Sequence, residues 1–407
     1  MNLLFAWRYF KAKKSTNAIN IIAWISIVAI VVGTASLILV LSVFNGFEGL
    51  VKSLYSSFYP DIKISALSGK QVTLTDAQLQ KLRSVNGVSS MSLIVEEKVM
   101  LLNGDYKVNA YIKGVDENYT KVSDVAKYMV KGNFDLGDSL NPKLVLGAGI
   151  ENAVGVQSDR SISPLLIYSG RKGDIDLQNP LNNVNSVEAN TSGAFIIQQD
   201  FDNKYAITNL AFVKQMLELG KDEYTGAEIK VSADADAEEV ERTIKTNLGK
   251  NYIVQNRYEQ NQSLYAVMKA EKWVIYAILS LILVVAAFNM VGALTMLVLE
   301  KKGDISVLHA LGGSKNLIQK IFLSEGILLA FIGGGVGMLL ALALALAQIN
   351  FKLIPLQGGS FLIDYFPVVL NPYDFLLVGS TVMIIAVIAS WIPARKAAQQ
   401  QFALREE

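Results

Sequence analysis

Apolar and polar positions divide this chain into two materials. Residues 15–47 carry no charge, and their core, about 19–44, exceeds the roughly 20 residues needed to span a bilayer's hydrocarbon. Three more such runs follow, at 273–299, about 328–349 and 375–392. Between the first run and the second, from 48 to about 270, charges return and Gly, Asn and Asp punctuate short alternating segments. The pattern predicts a membrane α-helical protein with four transmembrane helices and a large α+β domain inserted between the first and second.

Within the insert, residues 62–65, 91–95, 98–102 and 108–113 read as strands, and Asn103-Gly104-Asp105 predicts a hairpin turn. Later strands are expected at 164–168, 194–198, 227–231 and 252–255. Thr75-Asp76-Ala77-Gln78 has capping-box spacing and opens a helix to about Arg83; residues 235–248 read as a helix ended by Gly249. About 220 residues are enough for an independent core, as one region or two subdomains. Residues 169–192, with Gly170, Arg171, Lys172, Gly173, Pro180 and several Asn, read as a long exposed loop and a candidate binding element.

Charge sets the orientation. Residues 1–19 hold Arg8, Lys11, Lys13 and Lys14 without an acid, among Leu, Phe, Trp and Tyr, as in an interfacial amphipathic helix. The first apolar run is longer than a signal-peptide core and no small-residue cleavage site closes it. Basic residues recur at Lys301-Lys302, Lys315 and Arg395-Lys396, whereas the stretch 350–374 has Lys352 alone. This predicts both termini inside and the insert outside. The expected segments are 1–19, 20–47, 48–270, 271–299, 300–314, 315–349, 350–374, 375–393 and 394–407.

Composition removes several chemistries. The 407 residues are 52% hydrophobic and 18% charged, with net charge +1, which gives no reason to expect nucleic-acid binding. With no Cys and one His, His309, there is no thiolate or multi-His metal site and no cysteine nucleophile. No phosphate-loop motif occurs, so any ATP used is bound by another chain. The Gly333–Gly337 run lies in an apolar span and reads as a surface for close helix packing. Asn289 is the main polar side chain deep in a span, suited to packing or a helix–helix hydrogen bond, and Glu325 sits near a helix end.

The stretch 300–314, EKKGDISVLHALGGS, lies between two spans. It reads as a two-turn helix starting near Asp304 and stopping at Gly312-Gly313. Ile305, Leu308 and Leu311 fall on one face with Val307 beside them. Such a helix is either a handle for a partner or a connector at the headgroups.

Three stretches carry a resemblance. The first is 24–48, closing on Leu41-Ser42-Val43-Phe44-Asn45-Gly46-Phe47-Glu48; the second is 288–346 with EKKGDISVLHALGGS; the third is Pro393-Ala394-Arg395-Lys396-Ala397-Ala398 with Ala403-Leu404-Arg405. Together they resemble the permease subunits of the Lol lipoprotein-releasing ABC transporters, in the superfamily of MacB and FtsX-type permeases. The resemblance implies a periplasmic insert and an inner-membrane permease that is not itself an enzyme. It also implies pairing with a second permease, a paralogue or itself, on a dimer of a separate ATPase that binds ATP and Mg. No cofactor is expected in this chain. Cargo would be triacylated lipoproteins, handed to a periplasmic chaperone. The resemblance makes Asp304, Ile305, Val307, Leu308, Leu311 and Gly312 the contact with the ATPase. It makes Val40, Val43, Phe44, Phe47, Trp273 and Tyr276 candidates for an acyl-chain cavity, and Arg171, Lys172 and Pro180 candidates for a chaperone-binding loop. Singly, each cavity candidate is equally explained by packing or interfacial anchoring. Two other readings stand beside this one: a MacB/FtsX-type permease for efflux or cell-wall hydrolase control, and a membrane-anchored sensor without ATP coupling.

Overall fold

A computed structural model of the chain describes residues 17–160, 164–171, 184–356 and 363–399. The amphipathic reading of the N-terminal segment therefore falls almost wholly outside the described residues. Helix α1 (Asn17–Phe58) leads into β1 (Ile62–Ala66), β2 (Val72–Thr73), α2 (Asp76–Arg83), β3 (Val88–Asn103) and β4 (Tyr106–Val115). Then come β5 (Met129–Gly132), β6 (Lys143–Gly147), α3 (Ala148–Val154), β7 (Leu165–Gly170), β8 (Val184–Phe195) and β9 (Tyr205–Asn209). The insert ends with α4 (Leu210–Met216), β10 (Glu223–Tyr224), β11 (Gly226–Val231), α5 (Ala237–Leu248) and β12 (Tyr252–Asn256). Helices α6 (Gln262–Glu300), α7 (Lys302–Ala310), α8 (Lys315–Phe351) and α9 (Pro372–Ala398) complete the chain. The chain divides into two compact units, one holding residues up to Leu50 with α7, α8, α9 and nearly all of α6, the other holding Val51–Tyr265.

The first unit is a helical bundle. Helices α1, α6, α8 and α9 are each long and apolar enough to cross a membrane. Their seam buries Leu37, Ile38 and Leu41 of α1 with Leu283, Met290 and Leu294 of α6, Leu329 and Ala341 of α8, and Val378 and Val382 of α9. The glycine run acts as expected. A Cβ on Gly337 would lie 2.7 Å from the Val31 carbonyl oxygen, so only glycine lets α8 approach α1 this closely. Glu325 is buried among the helices. Asn289 lies on the exposed face of α6 rather than in the packed seam, which corrects the reading of it as a packing residue within this bundle.

The second unit is a sheet curled onto itself. Strand β3 pairs with β4 and β7, and the chain of pairings β4–β9–β6–β8–β7 returns to β3, closing a six-strand ring. Closure of this kind leaves those strands no free edge. Outside the ring, β11, β1 and β12 extend the sheet from the first half of β3. Its core is one continuous cluster that includes Ile62, Ile64, Leu93, Val95, Leu101, Ile112, Leu146, Ile167 and Ile229.

Several local expectations hold. Thr75 accepts from the Gln78 amide while Gln78 accepts from the Thr75 amide, so the capping box forms and α2 ends at Arg83. Gly104, at φ +60°, makes the turn of the β3–β4 hairpin. Others fail for physical reasons. Glu96-Glu97 reads as a break between two strands, yet β3 runs through all 16 residues. Its first half pairs with β11 and its second with β7, and Glu96 meets Lys63 and Lys113 from neighbouring strands. Residues 169–192 are not a single long loop: Ser169 and Gly170 end β7, and β8 pairs back along it from Val184. Strands β5, β6 and β9 and helices α3 and α4 escape the sequence reading.

Candidate functional site

Helix α7 begins at Lys302, just ahead of the expected start near Asp304. Its cap position is Lys301, which makes no side-chain cap, and Asp304 lies within the first turn, 3.4 Å from the Lys301 ammonium. The expected stop holds. Gly312 adopts φ +88° and the Gly313 amide donates to the Leu308 carbonyl at 2.8 Å. Ser314 then caps α8 through the Leu317 amide. Two helices are thus joined by a short connection with little slack.

The four apolar residues of α7 divide between two directions. Ile305, 3% exposed, packs with Leu297 and Val298 of α6, Ile318 and Phe322 of α8, and Ala394 and Ala397 of α9. It is a buried anchor, which corrects its place among surface contacts. Val307 is 59% exposed and Leu311 80%, with Leu308 and His309 half-buried beside them. The result is an apolar edge on a helix braced from behind by three spans.

At the opposite ends of the spans, the cavity candidates differ in exposure. Val40 and Trp273 are exposed, and Val43 and Phe44 half-buried. Phe47 meets Phe366 edge to face at 5.8 Å, and Trp273 meets Tyr276 at 5.6 Å. The Tyr276 hydroxyl is hydrogen-bonded to that of Thr381 on α9. An apolar groove of about 880 Å³ lies elsewhere, between α8 and α9, lined by Met338, Leu342, Phe375, Leu376 and Met383.

Sequence reasoning passed over a polar cluster at these ends. Asn45 donates from Nδ2 to Asp374 Oδ2 at 2.6 Å, and its Oδ1 accepts from Lys272 Nζ at 2.8 Å. Lys272 Nζ also lies 3.5 Å from Asp374 Oδ1. The available signal was that Lys272 and Asp374 border charge-free runs as opposite charges.

In the second unit, Arg171 is exposed and lines a shallow cleft with Lys70, Glu97 and Leu217. Lys172 and Pro180 lie outside the described residues. The unit's charged centre is elsewhere. Lys113 and Glu228 pair at 2.7 Å with both side chains 1% exposed. The Lys113 ammonium lies 4.8 Å from the Phe58 ring centre and 4.9 Å from that of Tyr119. Burial pushes the Lys113 pKa down, but Glu228, Tyr119 and Glu96 outweigh it and hold the ammonium well above its ordinary value. Burial likewise raises Glu96, yet Lys63 and Lys113 prevail and leave it lowered. Each charge has an opposite charge beside it within the fold, with Glu228 Oε2 alone left without a hydrogen bond, so the cluster reads as structural. Among the described residues no group of His, Asp and Glu could hold a metal ion.

Comparison with known proteins gives these features a context. A model of the MacB-like periplasmic core domain matches residues 23–247, and one of the FtsX-like permease C-terminal matches residues 276–402. The chain is 27% identical to the lipoprotein-releasing system transmembrane protein LolE of Haemophilus influenzae, over 97% of this chain and 96% of that one. It is 25% identical to the corresponding LolC of Neisseria meningitidis, over 98% and 97%, and 26% identical to LolC of Xylella fastidiosa, over 98% and 97%. Four apolar helices with an α+β periplasmic domain after the first are the plan that both family models describe in succession along this chain. This chain therefore belongs to the MacB/FtsX-like permeases, the non-catalytic multi-pass membrane subunits that work with a partner ABC ATPase.

Proposed function

We propose that this permease is the mechanical subunit of a lipoprotein-releasing transporter. It sits in the inner membrane with both termini in the cytoplasm and draws acylated lipoproteins from the outer leaflet for a periplasmic chaperone. The observation that carries this reading is the likeness to lipoprotein-releasing system proteins along nearly the whole of both chains, membrane helices and insert together. ATP and Mg are bound by the partner ATPase, which contacts Val307, Leu308 and Leu311 at the α7 edge. Ile305 transmits force by locking α7 to α6, α8 and α9. Acyl chains leave the bilayer at a cost of about 0.8 kcal/mol per methylene, so several chains need a driven step. Val40, Val43, Phe44, Phe47, Trp273 and Tyr276 remain candidates to meet them where a second permease completes the surface. The exposed Arg171, with Lys172 and Pro180, is the candidate contact for the chaperone.

The test is to purify the tagged chain in mild detergent and identify its companions by mass spectrometry. The complex is then reconstituted with a fluorescent triacylated lipoprotein. Co-purifying ATPase and lipoproteins, with ATP-dependent transfer to a soluble acceptor, are expected. An ATPase accompanied instead by peptidoglycan hydrolases or an outer-membrane duct would overturn the lipoprotein reading. Absence of any ATPase would overturn the coupling role of α7.

A further inference from the structure

Asn45-Gly46 is an odd pair to find where it is. It is a turn-forming dipeptide, yet it lies inside α1, which continues to Phe58. Gly costs a helix interior roughly 1 kcal/mol relative to Ala, and Asn is also a poor helix former. A sequence that breaks a local rule needs a compensating contact. Both residues have one. A Cβ on Gly46 would lie 2.2 Å from the Pro367 carbonyl oxygen, so glycine alone lets the segment before α9 lie against α1. The Val369 amide donates to the Ser42 carbonyl at 3.0 Å, and Phe47 packs on Phe366. Asn45 then bridges two charges of opposite sign. Its amide nitrogen serves the Asp374 carboxylate and its amide oxygen serves the Lys272 ammonium. A carboxamide can donate from its nitrogen and accept at its oxygen at once. A carboxylate at 45 would repel Asp374, and an apolar residue would leave both ions short of a partner.

The three residues belong to three different helices, α1, α6 and α9. Asp374 is 6% exposed, and it sits in the first turn of α9, where a negative charge is favoured. Parting these helix ends would strand that carboxylate at the border of the apolar spans.

We propose that Asn45, Lys272 and Asp374 form a polar clasp that keeps the ends of α1, α6 and α9 together as one body through the transport cycle. Helices α1 and α6 of a single chain then do not part there. The cargo-release readout of the test rests on the reading of this protein as a lipoprotein-releasing permease. These are positioning residues, and they touch no cargo.

The experiment uses the full complex with its partner ATPase, reconstituted in nanodiscs. This chain has no native Cys, so it takes label only at the introduced positions. Spin labels at Gly49→Cys, where the glycine has open space around it, and at the exposed Tyr373→Cys report the distance between α1 and α9. A second pair, on Tyr373→Cys and Val274→Cys, reports α6 against α9. Both distances are expected to stay the same with and without trapped nucleotide. A nucleotide-driven shift of either beyond the width of the nucleotide-free distribution overturns the clasp. Lys272→Asp and Asp374→Lys should each broaden the distances and lower cargo release per ATP hydrolysed by about tenfold. Combined, they should restore both readouts, because the Asn45 amide can rotate to serve the exchanged charges. A double variant no better than either single one refutes the proposal. If distances hold and the double variant restores them while the unaltered complex releases no lipoprotein, the clasp stands and the cargo reading falls.

Discussion

Leu311→Asp separates the two faces of α7. Leu311 is 80% exposed, so its side chain does little for the fold of this chain. Fully burying a leucine is worth about 1.5–3 kcal/mol, so covering the exposed four-fifths in an interface supplies about 1–2.5 kcal/mol. Asp forfeits that and places a carboxylate without a partner against the ATPase, adding about 1–3 kcal/mol. At about 1.4 kcal/mol per tenfold, a mid-range total near 4 kcal/mol weakens association roughly five-hundredfold. Ile305→Ala is the contrast. Ile305 is buried among α6, α8 and α9, so truncation should cost about 2–5 kcal/mol of folding stability, with much less effect on affinity per folded molecule. The assay titrates labelled ATPase against the permease in nanodiscs, with thermal unfolding measured in parallel. Undiminished affinity in Leu311→Asp, with the membrane protein folded, would refute the assignment of this edge to the ATPase. Loss of affinity in Ile305→Ala without loss of stability would refute the division into an anchor face and a docking face.

Three other outcomes follow from the geometry. Lys113→Met leaves the Glu228 carboxylate buried without its ammonium and should cost about 3–5 kcal/mol, whereas Lys113→Met with Glu228→Leu should recover most of it in thermal unfolding. Burial raises the Glu151 carboxyl, but the Ser158 amide and hydroxyl and the Lys131 ammonium outweigh it and hold it below its ordinary value. A lowered folded value means its stabilisation is present above the unfolded pKa, about 4.3, and fades as pH falls through the folded one; Glu151→Gln should flatten the acid limb of a stability–pH profile. Gly46→Ala should destabilise the bundle by about 1–3 kcal/mol through overlap with Pro367, while Gly49→Ala, with open space around it, should be neutral or stabilising by up to about 1 kcal/mol; melting in detergent distinguishes them.

The spans, the capping box at Thr75, the turn at Gly104 and the glycine stop of α7 were legible because each depends on neighbours a few residues away. Hydrocarbon thickness sets a span's length, and a helix end needs only its own first or last turn to be satisfied. The family resemblance was legible for a similar reason, since its motifs are short and contiguous. What failed to show in the chain depends on partners distant in sequence. Strand β3 passes through three charged residues because Lys63 and Lys113 arrive from other strands to meet Glu96. Ile305 turns inward because three helix ends converge on it, and an apolar residue at helical spacing does not say which side its neighbours will occupy. Lys272 and Asp374 lie 227 and 329 residues from Asn45 along the chain and share no common spacing with it; only the packing of α1, α6 and α9 makes them one cluster. Local periodicity and capping thus determined the spans, their order along the chain and part of the insert's elements. Tertiary structure alone decided which charges are paired and which apolar faces are left for a partner, because burial and Coulomb attraction act across space rather than along the chain.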